Sequence, residues 1–225
     1  MTVRPKTKLA VFDCDGTLSD GQAAICAAMA EGFAEAGLAA PDPHQVRRIV
    51  GLSLPSAIAR LAPGESPEAQ LRAVQAYKGA FFRARERGLV QEPLFEGIAD
   101  LLARLHGAGW TLGVATGKSD RGLTSCLTMH GVFDLFVTLQ TADRHPSKPH
   151  PSMLETAMAE AGALRADTVM IGDTLYDVEM ALAAGVRAIG VAWGYHAPEE
   201  LLAAGADAVA ETPAQLWEML DGTAG

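Results

Sequence analysis

The run Leu9-Ala10-Val11-Phe12-Asp13-Cys14-Asp15-Gly16-Thr17-Leu18 decides how this chain folds. An apolar segment rich in strand formers ends at two carboxylates separated by one residue, and a Gly-Thr turn follows at once. Strand side chains alternate faces, so residues two apart point the same way while the strand lasts. Gly16 permits backbone angles closed to most residues, which lets the chain turn with both acids at the strand's carboxyl end. Open α/β sheets bind ligands there. Two like charges this close are costly unless a cation or a proton resolves the repulsion. The first remedy is a metal held by carboxylates; the second is an acid and a base kept in different protonation states.

A passive surface turn after a core strand would use the same residue types. Asp-x-Asp-Gly also opens the EF-hand calcium loop, which needs a further ligand, a closing Glu and flanking helices. Here Leu18 and Ser19 follow Thr17, no Glu closes the loop, and a strand precedes it. The motif therefore takes its meaning from the rest of the chain.

With 225 residues, 49% of them hydrophobic, the chain can bury one large core or a core with an insertion. A net charge of −9 argues against a general nucleic-acid binder. It leaves room for an anionic substrate, because a bound cation reverses the local field. Cys14, Cys26 and Cys126 are scattered, odd in number and form no CxxC, as expected of reduced thiols. No apolar stretch reaches membrane-spanning length, and Met1 to Lys8 leads into no signal-peptide core. A cytoplasmic protein without a membrane or nucleic-acid partner is the expectation, as a monomer or homodimer.

Periodicity predicts a helix over Gly21 to Ala36, with Ile25, Met29 and Phe33 on one face. After Pro41 and Pro43, helices are predicted over Gln45 to Val50, Pro55 to Leu61 and Pro67 to Arg87. From Gly97 the pattern changes to helices alternating with strands: helix Ile98 to His106, strand Thr111 to Ala115, helix Ser119 to His130, strand Leu135 to Leu139. Helix Pro151 to Ala161, strand Thr168 to Ile171, helix Leu175 to Ala184 and strand Arg187 to Val191 follow, then a helix-strand-helix tail from Pro198 to Leu220. Met153, Met158 and Leu182 are read as core positions. Such alternation implies βαβ units: an α/β, Rossmann-like, doubly wound parallel sheet. The all-helical block is then an insertion after the first strand. The expected division is a core of 1–18 and 95–225 and a helical cap of 19–94.

Three more polar clusters fall at predicted strand ends or in loops. They are Thr116-Gly117-Lys118-Ser119, Ser147-Lys148-Pro149-His150-Pro151 and Gly172-Asp173-Thr174-Leu175-Tyr176-Asp177. In a parallel sheet these junctions share one rim with Asp13 and Asp15, and their carboxylates, hydroxyl, lysine and helix amino termini suit a metal ion with an anion beside it. Gly117-Lys118-Ser119 mimics the end of a P-loop, but the Gly required five positions before Gly117 is Leu112, which excludes a Walker motif. Lys118 is expected to be solvated or packed on the rim. His150 is expected to shape its loop, since the histidines lack metal-ligand spacing.

These four motifs, in order and spacing, resemble those of the haloacid-dehalogenase superfamily. Within it they are most similar to helical-cap phosphatases of the phosphoglycolate phosphatase type. The resemblance implies that Asp13 is a nucleophile forming an aspartyl-phosphate, and that Asp15 protonates the leaving alcohol and then deprotonates water. It implies Mg²⁺ on the Asp13 carboxylate, the Asp15 carbonyl and the Asp173 carboxylate, with Asp177 supporting it. Thr116 and the Gly117 amide would hold phosphate oxygens, Thr17 would lie at the substrate, and Lys148 would neutralise Asp13 and the phosphoryl group. Asp177 is read first as a metal residue, with the start of a helix, where acids are favoured, as the alternative.

Substrate choice is expected to reside in the cap. Arg47 and Arg48, just before Val50-Gly51-Leu52, could meet a substrate carboxylate, and Gly21 and Pro93 could act as hinges. The small phosphorylated substrate expected first is 2-phosphoglycolate. Alternatives on the same fold are a β-phosphoglucomutase-like transfer enzyme, a pyrophosphatase and a carbon–halogen hydrolase, the last opposed by the presence of Asp15. A non-catalytic binding protein would be expected to lose some of these charged residues.

Overall fold

The computed structural model describes residues 7–221. The reading of Met1 to Lys8, and the outer ends of the segments 1–18 and 95–225, fall partly outside that range. In chain order the elements begin with β1 (Leu9–Phe12), α1 (Gln22–Glu35), α2 (Pro43–Ile49), α3 (Leu54–Leu61) and α4 (Pro67–Glu86). Then come α5 (Ile98–Gly107), β2 (Thr111–Thr116), α6 (Asp120–Met129), β3 (Phe136–Thr141), α7 (Ser152–Ala161) and β4 (Thr168–Gly172). The last are α8 (Leu175–Ala184), β5 (Arg187–Val191), α9 (Pro198–Ala203), β6 (Ala208–Ala210) and α10 (Pro213–Asp221). No described helix is long and apolar enough to cross a membrane.

All strand pairs are parallel, in the order β3-β2-β1-β4-β5-β6. β1 thus lies between β2 and β4, where the strand order reverses and parallel sheets open a crevice at their carboxyl ends. Its four residues are all buried, as a strand covered on both faces requires. Alternation divides them. Ala10 and Phe12 join a core with Leu102, Leu105 and Leu216, while Leu9 and Val11 join Met153, Leu154 and Met180 on the other face.

The helices between β1 and α5 bury a cluster of their own, with Ile25, Met29, Phe33, Ile58 and Val74 at its centre. The two strands of chain that join this block to the sheet run side by side. Asp20 N donates to Pro93 O at 2.8 Å, and Ser19 bridges antiparallel to Leu94.

Two expectations need correction. β3 begins and ends later than Leu135 to Leu139, because a short 3₁₀ turn takes Phe133–Leu135 and the strand continues through buried Gln140 and Thr141. Gln140 is satisfied there by Thr138 and Glu160, a polar network that hides the strand's end from an apolar pattern. Leu182 is 52% exposed and is no core residue, whereas Met153 and Met158 are buried. Helix α8 turns Val178, Met180, Ala181 and Ala184 inward and leaves Leu182 on the outer side.

Candidate active site

Asp13 is the first residue beyond β1 and stays in register, its N–H donating to Ile171 O of β4 at 2.9 Å. Its Oδ1 accepts from Cys14 N at 2.6 Å, and its Oδ2 lies 3.0 Å from Lys148 Nζ. The chain then turns at Gly16, whose φ of +88° belongs to glycine. A side chain at Gly16 would also collide with Asp173, since a Cβ there would stand 2.2 Å from Oδ2. The glycine is what lets the strand ends of β1 and β4 share one site.

Asp173 follows β4. Its Oδ1 accepts from Thr17 Oγ1 at 2.7 Å and its Oδ2 from Tyr195 N at 2.9 Å. Thr17 is fully buried, and its hydroxyl is directed to Asp173. Asp177 lies in the first turn of α8, where its Oδ2 accepts from Thr174 N and Oγ1 at 3.0 and 2.8 Å as a helix cap does. Its Oδ1 accepts from Lys148 Nζ at 2.6 Å. The capping and site readings of Asp177 are therefore compatible, one oxygen serving each.

Asp13, Asp173 and Asp177 are all buried, with carboxylate oxygens within 4.8 Å of one another. Burial raises the Asp13 carboxyl to about 7; Asp177 and Asp15 add to the rise and Lys148 opposes it. Burial likewise lifts Asp173 well above the usual carboxylate range. For Lys148, burial favours the neutral amine, but Asp13 and Asp177 outweigh it and hold the ammonium above its ordinary value. With all three carboxylates ionised, this one buried ammonium would leave two negative charges in excess, and the raised Asp13 and Asp173 carboxyls are the response to that crowding. A divalent cation with oxygen ligands supplies that balance.

Asp15 occupies a second buried cluster. Lys118 Nζ lies 2.9 Å from Asp15 Oδ1 and 2.5 Å from Glu92 Oε1, its side chain only 8% exposed. Of the two expectations for Lys118, solvated or packed on the rim, the structure excludes the first: the side chain is packed against two acids. Burial raises the Asp15 carboxyl, Lys118 pulls it down, and Glu92 adds to the rise. Arg85 approaches Glu92 from α4 at 3.6 Å. Glu92 carries no motif; its place beside Pro93, in the chain that rejoins the sheet, is the one signal that could have found it.

Thr116 ends β2, buried, its Oγ1 accepting from Lys118 N at 3.3 Å. Gly117 lies under the α2–α3 connection so closely that a Cβ would stand 2.4 Å from Leu52 O and 2.7 Å from Gly51 O. Ser53 N also donates to Ser147 Oγ at 2.9 Å, so the helical block sits over the rim of the sheet. His150 Nδ1 accepts from Ser152 N at 3.2 Å and shapes its loop as expected.

The arginines of α2 do not meet the site. Arg48 forms two hydrogen bonds to Glu200, at 2.7 and 2.8 Å, and its carbonyl accepts from Tyr176 OH at 3.2 Å. These contacts latch α2 to the sheet domain. Arg47 is absent from the lining of the adjoining cleft, whose volume is about 570 Å³. Asp15, Gly117 and Lys118 line that cleft together with the cations Lys78, Arg85 and Arg121.

A family model described as haloacid dehalogenase-like hydrolase matches residues 10–191. The chain is 38% identical over 209 residues to the probable phosphatase IndB of Dickeya dadantii, across 91% of this chain and 89% of that protein. It is 29% identical over 221 residues to a phosphoglycolate phosphatase of Vibrio vulnificus, across 95% and 96% of the two. The crystal structure of a predicted phosphatase from Clostridium acetobutylicum superposes with a TM-score of 0.86 at 25% identity, covering 96% of this chain and 99% of that one. With a fold, a carboxylate cluster and a matched span that all agree, the chain belongs to the haloacid dehalogenase-like hydrolases, as a phosphatase-type member that keeps both acids of its opening motif.

Proposed function

We propose that the chain hydrolyses phosphate monoesters with Mg²⁺, by transferring the phosphoryl group first to Asp13 and then to water. The observation that carries the reading is the buried cluster of three acids, Asp13, Asp173 and Asp177, against the single ammonium of Lys148. The Asp13 and Asp173 carboxylates and the Asp15 carbonyl would hold the ion, with Asp177 behind Lys148. When bound, Mg²⁺ would act as a Lewis acid toward phosphoryl oxygens.

The residues divide the work. Asp13 attacks phosphorus, forming a carboxylate–phosphorus bond as the ester P–O bond breaks, and the leaving alkoxide takes its proton from Asp15. In the second half Asp15 takes a proton from water, the water oxygen bonds to phosphorus, and the Asp13 carboxylate leaves. Lys148 offsets charge on Asp13 and the phosphoryl oxygens, with Thr116 and the Gly117 N–H as further donors. General acid–base catalysis contributes about 10²–10⁴-fold, far below the ~10²¹ by which enzymes accelerate the slowest phosphate-ester hydrolyses. Fixed charges and positioning must supply much of the remainder.

We read residues 19–94 as a cap on a core of 1–18 and 95–225, hinged at Gly21 and Pro93, where the paired linkers support motion as a unit. A cap closing over Gly117 would exclude water from the reacting centre. The resemblance ranks 2-phosphoglycolate first among substrates. The test is phosphate release from a panel of phosphate monoesters, pyrophosphate included, with Mg²⁺ and with a chelator. Turnover that needs Mg²⁺ supports the reading; no turnover of any ester contradicts it.

A further inference from the structure

Resting on that hydrolase reading, we propose that the ester carries a flat heteroaromatic ring with polar edges, stacked on the aromatic face of α4, in preference to a small acid or a sugar. The cleft of about 570 Å³ falls within the range of roughly 300–1,000 Å³ that encloses drug-sized ligands. A two-carbon acid would leave most of it to water. Tyr77, Phe81, Phe82 and Arg85 of α4 line one wall, and Ile25 and Met29 of α1 lie on the same cleft.

The rings are arranged with cations. Tyr77 and Phe81 have ring centroids 5.9 Å apart. The Arg85 guanidinium lies 5.3 Å from the Phe81 centroid, and Arg121 of α6 lies 4.8 Å from that of Phe82. A flat ring can stack on such faces, and its heteroatoms can accept from the guanidinium edges. Arg85 Nη2 is buried without a hydrogen-bond acceptor, its ion-pair partner Glu92 standing 3.6 Å away. An acceptor at the ring's edge would satisfy it.

The same lining disfavours the other classes. A sugar in direct contact with the α4 wall would meet mostly rings and aliphatic chains, since among the described insertion residues on the cleft only Ser53 and Tyr77 carry a hydroxyl. Ser53 Oγ already donates to Ser56 Oγ at 3.0 Å. A purely aliphatic alcohol would cover the arginines without giving them an acceptor.

The test compares kcat/KM, with Mg²⁺, for benzyl phosphate, pyridoxal 5′-phosphate and cytidine 5′-monophosphate against 2-phosphoglycolate and glucose 6-phosphate. All five are esters of primary alcohols, so the chemical step is comparable. Stacking is worth about tenfold or more, and the two heteroaromatic esters should exceed both non-aromatic ones by at least that factor, with benzyl phosphate between. Phe82→Ala, at a side chain already 45% exposed, and Phe81→Leu should each lower the ratio of aromatic to non-aromatic efficiency about fivefold or more. Equal or greater efficiency on 2-phosphoglycolate or glucose 6-phosphate overturns the inference and leaves the hydrolase reading standing, as does an unchanged ratio in both variants. Turnover of none of the five esters overturns the hydrolase reading, and this inference with it.

Discussion

Lys148 and Asp177 meet at 2.6 Å with both side chains buried, and the same Lys148 Nζ reaches Asp13 at 3.0 Å. One ammonium thus ties the helix cap of α8 to the acid that ends β1. Removing one partner of a buried ion pair costs about 3–5 kcal/mol, because the remaining charge is left without compensation. Lys148→Met should lose stability on that order and lower kcat by about 10²–10³ or more, as loss of one charge-stabilising donor does. Denaturant melts and steady-state kinetics check this; wild-type kcat in the variant would contradict the role of Lys148.

Metal addition should stabilise the protein in a pH-dependent way. The folded Asp13 carboxyl is raised to about 7 from its ordinary 3.8. The folded state therefore retains a proton that the unfolded state has released, and stability falls as pH rises through that window. A cation bound to the ionised carboxylates offsets this loss, so the rise in Tm on adding Mg²⁺ should grow between about pH 4 and pH 7. Asp13→Asn should flatten the growth. A Tm increment that is constant with pH in the wild type would count against the carboxylate cluster as the ion's site.

Lys118 holds Asp15 against the chain that rejoins the sheet. Lys118→Met leaves Asp15 and Glu92 buried side by side, so the acid is both mispositioned and repelled. We expect kcat to fall about tenfold or more, within the range acid–base catalysis supplies, with KM changed much less. A rise in KM alone would place Lys118 in substrate binding instead.

The α2 latch should weaken in acid. Arg48 hydrogen bonds, with a further one from Ala197 N, depress the Glu200 carboxyl to about 2 from its ordinary 4.5. A depressed carboxylate contributes stability that is complete above about 4.5 and is lost as pH falls through about 2. Both side chains are about a third or more exposed, so the contribution is below about 1 kcal/mol. The Tm difference between wild type and Glu200→Gln should be positive at neutral pH and should shrink across that window. A difference independent of pH would contradict the ionic latch.

The sheet and the carboxylate cluster were legible because their signals are local. Asp13 follows its strand directly, Asp173 and Asp177 share one turn with β4 and α8, and each strand's apolar run is bounded by Gly or polar residues. The second cluster was not legible. Lys118 and Glu92 are 26 residues apart, and only the return of the chain beside Ser19 brings them together. The partner of Arg48 is illegible for a related reason: which way α2 faces depends on its docking against Tyr176 and Glu200, and no feature of α2 itself encodes that. Leu182 misled because α8 is apolar and Ala-rich almost all round, so periodicity hardly distinguishes its faces.

The central claim, that Asp13 carries the phosphoryl group, is tested most directly by trapping. Protein in turnover with Mg²⁺ and an accepted ester is quenched with borohydride, which reduces an acyl phosphate to an alcohol, and the peptide spanning residues 9–18 is analysed by mass spectrometry. The account predicts conversion of Asp13 to homoserine, and none in Asp13→Asn. Steady phosphate release with Asp13 unmodified, or reduction at another carboxylate, would contradict it.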